Sequence, residues 1–328
     1  MKALERGHSF YRENLKAIVT DRRFRGWGRK RSGRFAQLCG RLFGGEVILL
    51  EDGFVRSLGL GVDGSPAFSW VEDDLGIYYD ATRPSRLERI LEAGEFVHDA
   101  ALMERAREGM EMIRKYRISK YNHAPFADGD FLQKYALTEA EEGNAERRKR
   151  ILVIAQTAGD ASLRYGMADT YRTDEIIDAA LDENPGAAVY LKIHPDVLSG
   201  KKRSDIDLEH ARKRCRIITE DVHPVSLLER FDRVYTKTSG MGFEALICGC
   251  ECVCFGMPFY AGWGVTEDRV TCSRRRARRT VEEIFAAAYL LYARYRDPYT
   301  GRASDLFETI ETIDRLRREA SGKKGDLS

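Results

Sequence analysis

The sequence has no apolar run long enough to cross a bilayer. Its longest such run, residues 284–293, has ten residues, whereas a transmembrane helix needs about 20. The N-terminal residues contain no apolar core segment, so a secretory signal peptide is not expected. Basic and acidic residues nearly balance, with 54 Lys and Arg against 52 Asp and Glu. This balance argues against the strongly basic class that is typical of dedicated nucleic-acid binders.

Several familiar motifs are also missing. No G-x-G-x-x-G follows a predicted strand and no G-x-x-x-x-G-K-[ST] loop occurs, which disfavours dinucleotide and triphosphate binding. The absence of a G-x-S-x-G elbow disfavours Ser/His/Asp chemistry. Asp128 and Asp130 have the spacing of a metal-binding pair in enzymes that use diphosphate sugars. They lie in a polar loop after Pro125, away from any strand end, and are interpreted as a turn.

Cysteines number seven, an odd count, and most of them are clustered. The run 248–254 alternates cysteine with other residues, whereas zinc sites favour two or more residues between ligands. Alternation that leads into Phe255 fits small apolar side chains packed in a strand. We therefore favour strand packing over a metal site, and reduced thiols indicate a cytosolic protein.

Periodicity predicts two α/β blocks, separated by a polar stretch near residues 133–150. In the first block Ser32 caps a helix, and residues 47–50 form a buried strand. A short strand over 76–80 and a long amphipathic helix over about 99–116 complete this block.

The second block alternates strands and helices more regularly. Strands are expected at 151–154, 187–193, 216–219, 233–237 and 252–255, and helices at 224–231 and 243–248. Thr173 is expected to cap another helix, and the pattern over 281–295 predicts a last one, opened by a capping box. Such alternation indicates βαβ units and a parallel sheet, so the fold class is α/β.

Polar residues follow the first strand of each block, where ligand clefts of α/β proteins collect their residues. Glu51 and Asp52 follow the strand 47–50 and can act as general acid or base, or form a solvated turn. Asp160 follows the strand 151–154 and can act as a nucleophile or base, or cap a helix. Gln156 and Ser162 flank it and can supply hydrogen bonds.

Two further strands end in polar loops. His194, which Pro195 directs, can hold an anionic oxygen or occupy an ordinary turn. Thr238, Ser239 and Gly240 precede a helix and offer hydroxyls and free N–H groups, which suit an anion site or an ordinary helix cap. Taken together, the four loops favour a cleft for a nucleotide and a sugar.

Two basic clusters stand apart from these loops, at residues 201–203 and 274–279. The second can contact anionic lipid head groups or an anionic glycolipid. It can equally form a solvated loop before the helix that follows, because runs of charge usually face water.

A set of sequence blocks resembles the capsule polysaccharide synthesis family, from about residue 27 to residue 301. These blocks are 27–30 with 32–33, 51–57, 73–85, 119–122, Gln156 with 160–162, 192–197, 239–246 and 258–264. The best-known members are bacterial β-Kdo glycosyltransferases, which move Kdo (3-deoxy-manno-octulosonic acid) from CMP-Kdo to a lipid-linked acceptor. Many relatives carry two such modules in tandem, and 328 residues fit one.

The resemblance implies a GT-B-like fold, with two Rossmann-type domains facing a central cleft. The expected domains are an acceptor-side α/β domain (1–145), a nucleotide-sugar-binding domain (146–275) and C-terminal helices that pack back across both (276–328). It also implies a CMP-sugar donor and a lipid-linked or oligosaccharide acceptor, with no metal, cofactor or nucleic acid. A cytoplasmic location follows, with peripheral contact to the inner membrane or the capsule machinery as a further expectation.

Residue roles follow from the same resemblance. Asp160 is the nucleophile of a retaining double displacement, with Glu51 and Asp52 near the acceptor hydroxyl. The residues implied in nucleotide binding are Lys192, His194, Pro195, Thr238, Ser239, Gly240 and Glu244, and those in sugar binding are Arg56, Gln156 and Ser162. The family loop before the nucleophile usually begins Gly-Gln, whereas this chain has Ala155-Gln156.

Two other interpretations remain open. The chain can be a transferase for another CMP- or nucleotide-activated sugar, and an inverting enzyme would use Glu51 or Asp52 as its base. It can also be a non-catalytic binding or scaffold module of capsule export.

Overall fold

The computed structural model describes residues 7–138, 148–193 and 205–325. The chain divides into two compact units, of which the first comprises Met1–His123 and Glu282–Ser328 and the second Ala124–Val281. The chain therefore returns to the first unit after it has completed the second. The domain boundaries expected near residues 145 and 275 stay predictions.

Helices and strands of ordinary length make up both units. Up to residue 123 they are α1 (Gly7–Ala17), β1 (Arg23–Trp27), α2 (Arg31–Phe43), β2 (Glu46–Asp52), β3 (Ser69–Asp73), α3 (Arg86–Ala93) and α4 (Ala100–Tyr116), with 3₁₀ turns at Gly61–Asp63 and Glu95–His98. The second unit contains α5 (Gly129–Lys134), β4 (Arg150–Ile154), α6 (Ala161–Tyr165), α7 (Thr173–Glu183), β5 (Ala188–Lys192), α8 (Leu208–Arg214), β6 (Arg216–Ile218), α9 (Pro224–Leu228), β7 (Arg233–Thr236), α10 (Met241–Ile247), β8 (Glu251–Cys254) and β9 (Glu267–Asp268). The chain then forms α11 (Val281–Phe285), a π-helical segment (Ala286–Tyr292), β10 (Ala293–Tyr295) and α12 (Leu306–Gly325). None of the helices in the described ranges combines the length and apolarity needed to cross a membrane.

The second unit contains the parallel sheet that its sequence predicts. Six strands lie in the order β6-β5-β4-β7-β8-β9, and every neighbouring pair is parallel. In β4, Leu152 and Ile154 enter one apolar cluster, whereas Ile151 and Val153 enter another. A strand covered on both faces reads as a continuous apolar run, which explains why this strand could be predicted. The helix expected after residue 173 is also present, although Arg172 rather than Thr173 occupies the cap position.

The cysteine-rich run packs as a strand, as its alternation predicts. Cys252 and Cys254 lie in β8, are almost fully buried and bring their sulfur atoms within 3.9 Å of each other. Cys250 precedes the strand, and burial raises the pKa of its thiol to about 12. These thiols therefore behave as small apolar side chains.

The sheet of the first unit differs from the parallel, Rossmann-type sheet implied by the resemblance. Its order is β1-β2-β3-β10, in which β1 and β2 are parallel and are connected through α2. The pairs β2–β3 and β3–β10 are antiparallel. Neither β1 nor β3 is predicted from the sequence, and the sheet is mixed because two of its three pairings join strands of opposite direction.

The strand predicted over 76–80 is wrong, and Asp73 supplies the reason. This carboxylate ends β3 and accepts hydrogen bonds from the backbone N–H groups of Leu75 (2.9 Å) and Gly76 (2.8 Å). It also accepts from the N–H of Arg86 (2.9 Å), at the start of α3. The chain therefore turns around Asp73, and this turn occupies the positions assigned to a strand.

The helix predicted over 281–295 is present up to Tyr292, first as α11 and then as the π-helical segment, and the prediction is wrong for the last three positions. The chain passes through the π-helical segment, and its last residues pair with β3, with Ala293 opposite Val71. Just before that strand, the hydroxyl of Tyr292 donates a 2.8 Å hydrogen bond to Asp73. Strand pairing with a distant segment thus overrides the local helical period.

Replacing Asp73 tests whether this buried carboxylate stabilises the fold through the hydrogen bonds that it accepts. Asp73→Ala leaves three backbone N–H groups, of which that of Gly76 is buried, and one buried hydroxyl without their acceptor, so we expect a loss of unfolding free energy on the order of 3 kcal/mol. Tyr292→Phe removes one of these bonds and should cost about 1 kcal/mol. Urea unfolding of both variants measures these losses of unfolding free energy. If Asp73→Ala were as stable as the parent, the stabilising role of Asp73 would be contradicted.

Candidate active site

The predicted site residues that the structure describes form two groups, one in each unit. The first unit contains Glu51, Asp52 and Arg56. The second contains Gln156, Asp160, Ser162, Lys192, Thr238, Ser239, Gly240 and Glu244. His194 and Pro195 lie outside the described residues, as does the basic cluster 201–203.

Glu51 lies near the end of β2 and is held from two sides. The indole Nε1 of Trp27 donates a 2.8 Å hydrogen bond to Glu51 Oε1, and the backbone N–H of Asp52 donates to the same oxygen at 3.2 Å. Gly28 has a φ of +36°, and a Cβ at this position would lie 2.7 Å from Glu51 Oε2 and would also meet the Tyr79 hydroxyl. Glycine is therefore required for this close approach. Burial raises the pKa of Glu51.

Lys120 is a site residue that the sequence reasoning missed. Burial alone would lower the pKa of its ammonium group, but the tyrosines at 78 and 121 together with Asp52 and Glu51 outweigh burial and raise it. Tyr78 shares a side-chain hydrogen bond with Lys120, and burial raises the pKa of Tyr78 to about 12. The only sequence signal for either residue was its position in a block shared with the family.

Asp52 and Arg56 form an ion pair inside the loop that follows β2. The Nε of Arg56 lies 2.8 Å from Asp52 Oδ1, and a second nitrogen donates to the carbonyl of Ser65 at 3.1 Å. Arg56 is almost fully buried. The two neighbouring carboxylates thus have different surroundings, since Asp52 is paired with a cation while Glu51 is bound by an indole and a backbone N–H. Such a difference is typical of carboxylates that play different roles in acid–base chemistry.

In the second unit Gln156 joins the ends of two neighbouring strands. Its Oε1 accepts a 2.7 Å hydrogen bond from the backbone N–H of Thr238, and its Nε2 donates to Thr238 Oγ1 at 3.2 Å. The hydroxyls of Thr238 and Ser162 lie 3.0 Å apart. The structure thus brings together three residues that the sequence assigned to two different loops, at the carboxyl ends of β4 and β7.

Asp160 lies beside this cluster and is exposed. Its Oδ1 accepts a 2.9 Å hydrogen bond from the backbone N–H of Ser162, so Asp160 caps α6. The cap interpretation is thereby confirmed, while the role as nucleophile stays a prediction. The two are compatible, because a carboxylate has two oxygens and the cap uses one of them.

Lys192, at the end of β5, directs its ammonium group to backbone carbonyls. It donates to the carbonyl of Glu220 at 2.9 Å and to that of Ile193 at 3.2 Å. Burial lowers its pKa, although Asp221 and Glu220 oppose that effect. Lys192 therefore lies against the loop that follows β6.

A second buried lysine, Lys237, was not predicted as a site residue, although it directly precedes Thr238. Its Nζ lies 2.7 Å from Asp205 Oδ2, and Asp205 also accepts a 2.7 Å hydrogen bond from the Thr173 hydroxyl. Burial acts to raise the pKa of Asp205, but these donors outweigh burial and hold it below its ordinary value. This ion pair anchors the chain just before the Thr238 loop.

Tyr260 supports the loop 238–240 through a hydrogen bond. The Tyr260 hydroxyl donates a 2.6 Å hydrogen bond to the carbonyl of Ser239, and a Cβ on Gly242 would meet that hydroxyl. Gly240 occupies the cap position of α10, and Glu244 is buried within this helix. The family block 258–264 thus contributes a supporting residue to the predicted nucleotide loop.

One arginine of the basic stretch 274–279 has a structural role. Arg275 is buried, donates a 2.6 Å hydrogen bond to the carbonyl of Ala261 and lies over the ring of Trp263. Arg276 and Arg278 are exposed. The expectation that this stretch as a whole faces an anionic partner therefore does not hold for Arg275.

The aspartate pair Asp128 and Asp130 forms the start of a helix. Asp128 occupies the cap position of α5 and Asp130 lies in its first turn, so the pair begins a helix and the prediction of a turn in a polar loop is wrong. Among the described residues, no three His, Cys, Asp or Glu side chains are grouped so that they could hold a metal ion.

The raised pKa of Glu51 predicts a specific dependence of stability on pH. A carboxyl whose pKa is higher in the folded state favours folding at low pH, and this contribution is lost as pH rises from the ordinary glutamate value through the raised one. Relative to Glu51→Gln, the parent protein should therefore lose stability across that window. Urea unfolding at a series of pH values measures this, and a difference that stays constant with pH would count against it.

Removing the Lys120 charge should extend that window. Because Lys120 is the strongest influence opposing burial at Glu51, Lys120→Met should raise the pKa of Glu51 further. The free energy of unfolding of Lys120→Met, relative to that of Lys120→Met/Glu51→Gln, should then keep falling up to a higher pH than the corresponding difference in the parent background. Lys30→Met is the matched control, because Lys30 is exposed and influences Glu51 less. An unchanged window in the Lys120 background would show that the two groups are not coupled.

Comparison with known proteins identifies relatives across most of the chain. The family model described as "Capsule polysaccharide biosynthesis protein" matches residues 25–295. The capsule polysaccharide modification protein LipA of Neisseria meningitidis serogroup A is 42% identical over 308 residues. That match covers 92% of this chain but 42% of the relative, so the chain spans less than half of LipA.

Two solved structures from Thermosulfurimonas dismutans are similar over their own lengths as well. The KpsC structure described as a β-Kdo 2,4 transferase is 43% identical, with a TM-score of 0.76, and the match covers 89% of this chain and 86% of that one. The KpsC structure described as a β-Kdo 2,7 transferase is 31% identical, with a TM-score of 0.69, and covers 93% and 88%. On the extent of these matches, the chain belongs to the capsule polysaccharide biosynthesis protein family.

Proposed function

We propose that this chain is a glycosyltransferase that moves Kdo from CMP-Kdo to a glycolipid or oligosaccharide acceptor. The observation that carries the proposal is the 43% identity to the KpsC β-Kdo 2,4 transferase, over 89% of this chain at a TM-score of 0.76. Both units share in that match. The proposal includes the GT-B-like fold that the family resemblance implies.

Donor binding is assigned to the second unit. Its sheet is parallel, and ligands of such sheets bind at the carboxyl ends of the strands. Gln156, Thr238 and Ser162 meet at that edge through hydrogen bonds of 2.7–3.4 Å. These neutral donors suit the sugar and the phosphate of CMP-Kdo, with Lys192, His194, Pro195, Ser239, Gly240 and Glu244 completing the nucleotide site.

Asp160 is assigned as the nucleophile of a retaining double displacement. One carboxylate oxygen forms a bond to the ketosidic carbon of Kdo as the bond from that carbon to the CMP phosphate oxygen breaks, and CMP leaves with the electron pair. The acceptor hydroxyl oxygen then attacks the same carbon and the bond to Asp160 breaks. An oxocarbenium-like transition state suits a nearby carboxylate. Because the leaving group is a monophosphate, cationic and hydroxyl contacts suffice in this proposal, without a metal or cofactor.

The proton of the acceptor hydroxyl is assigned to Glu51 rather than Asp52. A general base works best when its pKa lies near the working pH, and burial raises that of Glu51. Asp52 is already engaged by Arg56 at 2.8 Å, so it serves better to hold the loop. Arg56 is then a supporting residue of the acceptor side.

Asp160→Asn separates the nucleophile from the helix cap. Asparagine caps a helix about as well as aspartate, so the fold should stay intact, whereas transfer should fall by about 10³-fold or more. Incubation with CMP-Kdo and a Kdo-terminated acceptor, followed by mass spectrometry, measures the product. Asp182→Asn, at an exposed position of α7, is the matched control and should transfer at the parental rate. Parental transfer by Asp160→Asn would reject the assignment.

Two outcomes of the same assay favour other functions. NMR of the product anomer distinguishes retention from inversion, and an inverted product would make Glu51 or Asp52 the base of a direct displacement. If the parent adds no mass to any acceptor with CMP-Kdo but does so with another CMP-sugar, the donor assignment is wrong. No transfer from any nucleotide sugar would favour the scaffold module.

A further inference from the structure

Exposed apolar side chains concentrate on one part of the first unit. Within the described residues, eight large apolar side chains are exposed, and five of them lie on or next to α1 and α2. They are Leu15, Val19, Leu38, Leu42 and Phe43. Val19 is 85% exposed and Leu42 is 65% exposed, so neither packs against the described chain.

These residues occupy adjacent helices. Leu38 and Leu42 are four residues apart on α2, so they share one face of that helix. Leu15 lies on α1, and Val19 lies in the turn that follows this helix. The two helices pack on each other, with the rings of Tyr11 and Phe35 4.9 Å apart. We call this surface the α1–α2 face.

Exposed basic side chains outnumber acidic ones in the segment that contains the α1–α2 face. Between residues 9 and 46, nine basic side chains are exposed against three acidic ones. The basic ones are Arg12, Lys16, Arg22, Arg23, Arg25, Lys30, Arg31, Arg34 and Arg41, and the acidic ones are Glu13, Asp21 and Glu46. One acidic residue, Glu46, is already paired with Arg23 at 2.7 Å. The surface therefore attracts anions while it offers apolar side chains.

Helix α2 also leads away from Glu51. The hydroxyl of Ser32, in its first turn, accepts a 3.1 Å hydrogen bond from the N–H of Trp27, the residue whose indole holds Glu51. Leu42 follows Ser32 by ten residues, which corresponds to about 15 Å along a helix. An acceptor whose lipid lies at the α1–α2 face would need to extend a head group over that distance to reach Glu51.

We propose that the α1–α2 face docks on an anionic lipid bilayer. Leucine and phenylalanine side chains beside lysine and arginine are the composition of helices that lie in a membrane interface. Basic residues near the surface of an anionic membrane add to binding, so the excess of exposed cations over carboxylates in this segment favours a bilayer of anionic lipids. The inference rests on the proposed function only in that the acceptor is lipid-linked.

Vesicle binding tests the proposal directly. The protein is sedimented with vesicles of phosphatidylglycerol and phosphatidylcholine, and with vesicles of phosphatidylcholine alone, at low and high salt. We expect binding to the anionic vesicles that weakens with salt, since screening reduces attraction between exposed charges. Leu38→Glu/Leu42→Glu should weaken it at least tenfold. Leu75→Glu is the matched control, because Leu75 is 43% exposed but lies after β3, and it should bind as the parent does.

Three results would overturn the proposal. The first is that the parent fails to bind anionic vesicles. The second is that Leu38→Glu/Leu42→Glu binds them as well as the parent does. The third is that the parent binds no vesicles but self-associates, and that Leu42→Glu abolishes this self-association. The last result would assign the face to a second copy of the chain. Transfer to a lipid-free acceptor, measured in parallel, should be unchanged in Leu38→Glu/Leu42→Glu. Asp160→Asn should lose transfer but still bind vesicles. The two proposals can therefore fail independently of each other.

Discussion

A carboxylate that is partly taken out of water needs donors or a cation close by, and Glu51 obtains them from two distant parts of the chain. Trp27, which ends β1, donates through its indole, and Lys120, which follows α4, is the cation that most opposes the effect of burial. These segments converge on Glu51 although long stretches of sequence separate them. Parts of the first unit that are distant in sequence thus stabilise one partly buried acid, and the close approach of the chain to this acid requires a glycine at position 28.

In the second unit, neutral groups hold the candidate site together. Gln156 joins β4 to the loop after β7 through an amide, which both donates and accepts. The cationic residues near it are already satisfied, since Lys237 pairs with Asp205 and Lys192 donates to carbonyls. If this unit holds a charged donor as we propose, oriented dipoles act there beside cations that already have partners. Oriented dipoles need little rearrangement when a charged ligand arrives.

The strands β4 to β7 could be predicted from sequence because each is followed by a helix, and because β4 is buried on both faces. The apolar run of β4 records that burial in consecutive residues. The first unit resisted prediction because β3 and β10 are defined by pairing with distant segments, and because Asp73 turns the chain where a strand seemed to begin. Lys120 was missed for a related reason, since a lysine is recognisable as a site residue only when its neighbours in space are known. Asp160 and Gln156 could be predicted because they directly follow a buried strand, and this position can be recognised from the sequence alone.

The bond between Asp73 and Tyr292 joins residues that are 219 positions apart. During synthesis the ribosome releases β3 long before β10 exists, and the whole second unit emerges in between. Until then β3 has one open edge, and its buried carboxylate lacks the last of its donors. The second unit can therefore fold as an uninterrupted stretch, while the first unit must wait until β10 has been made. A nascent or truncated chain that stops before residue 293 exposes this strand edge, and such edges recruit other chains.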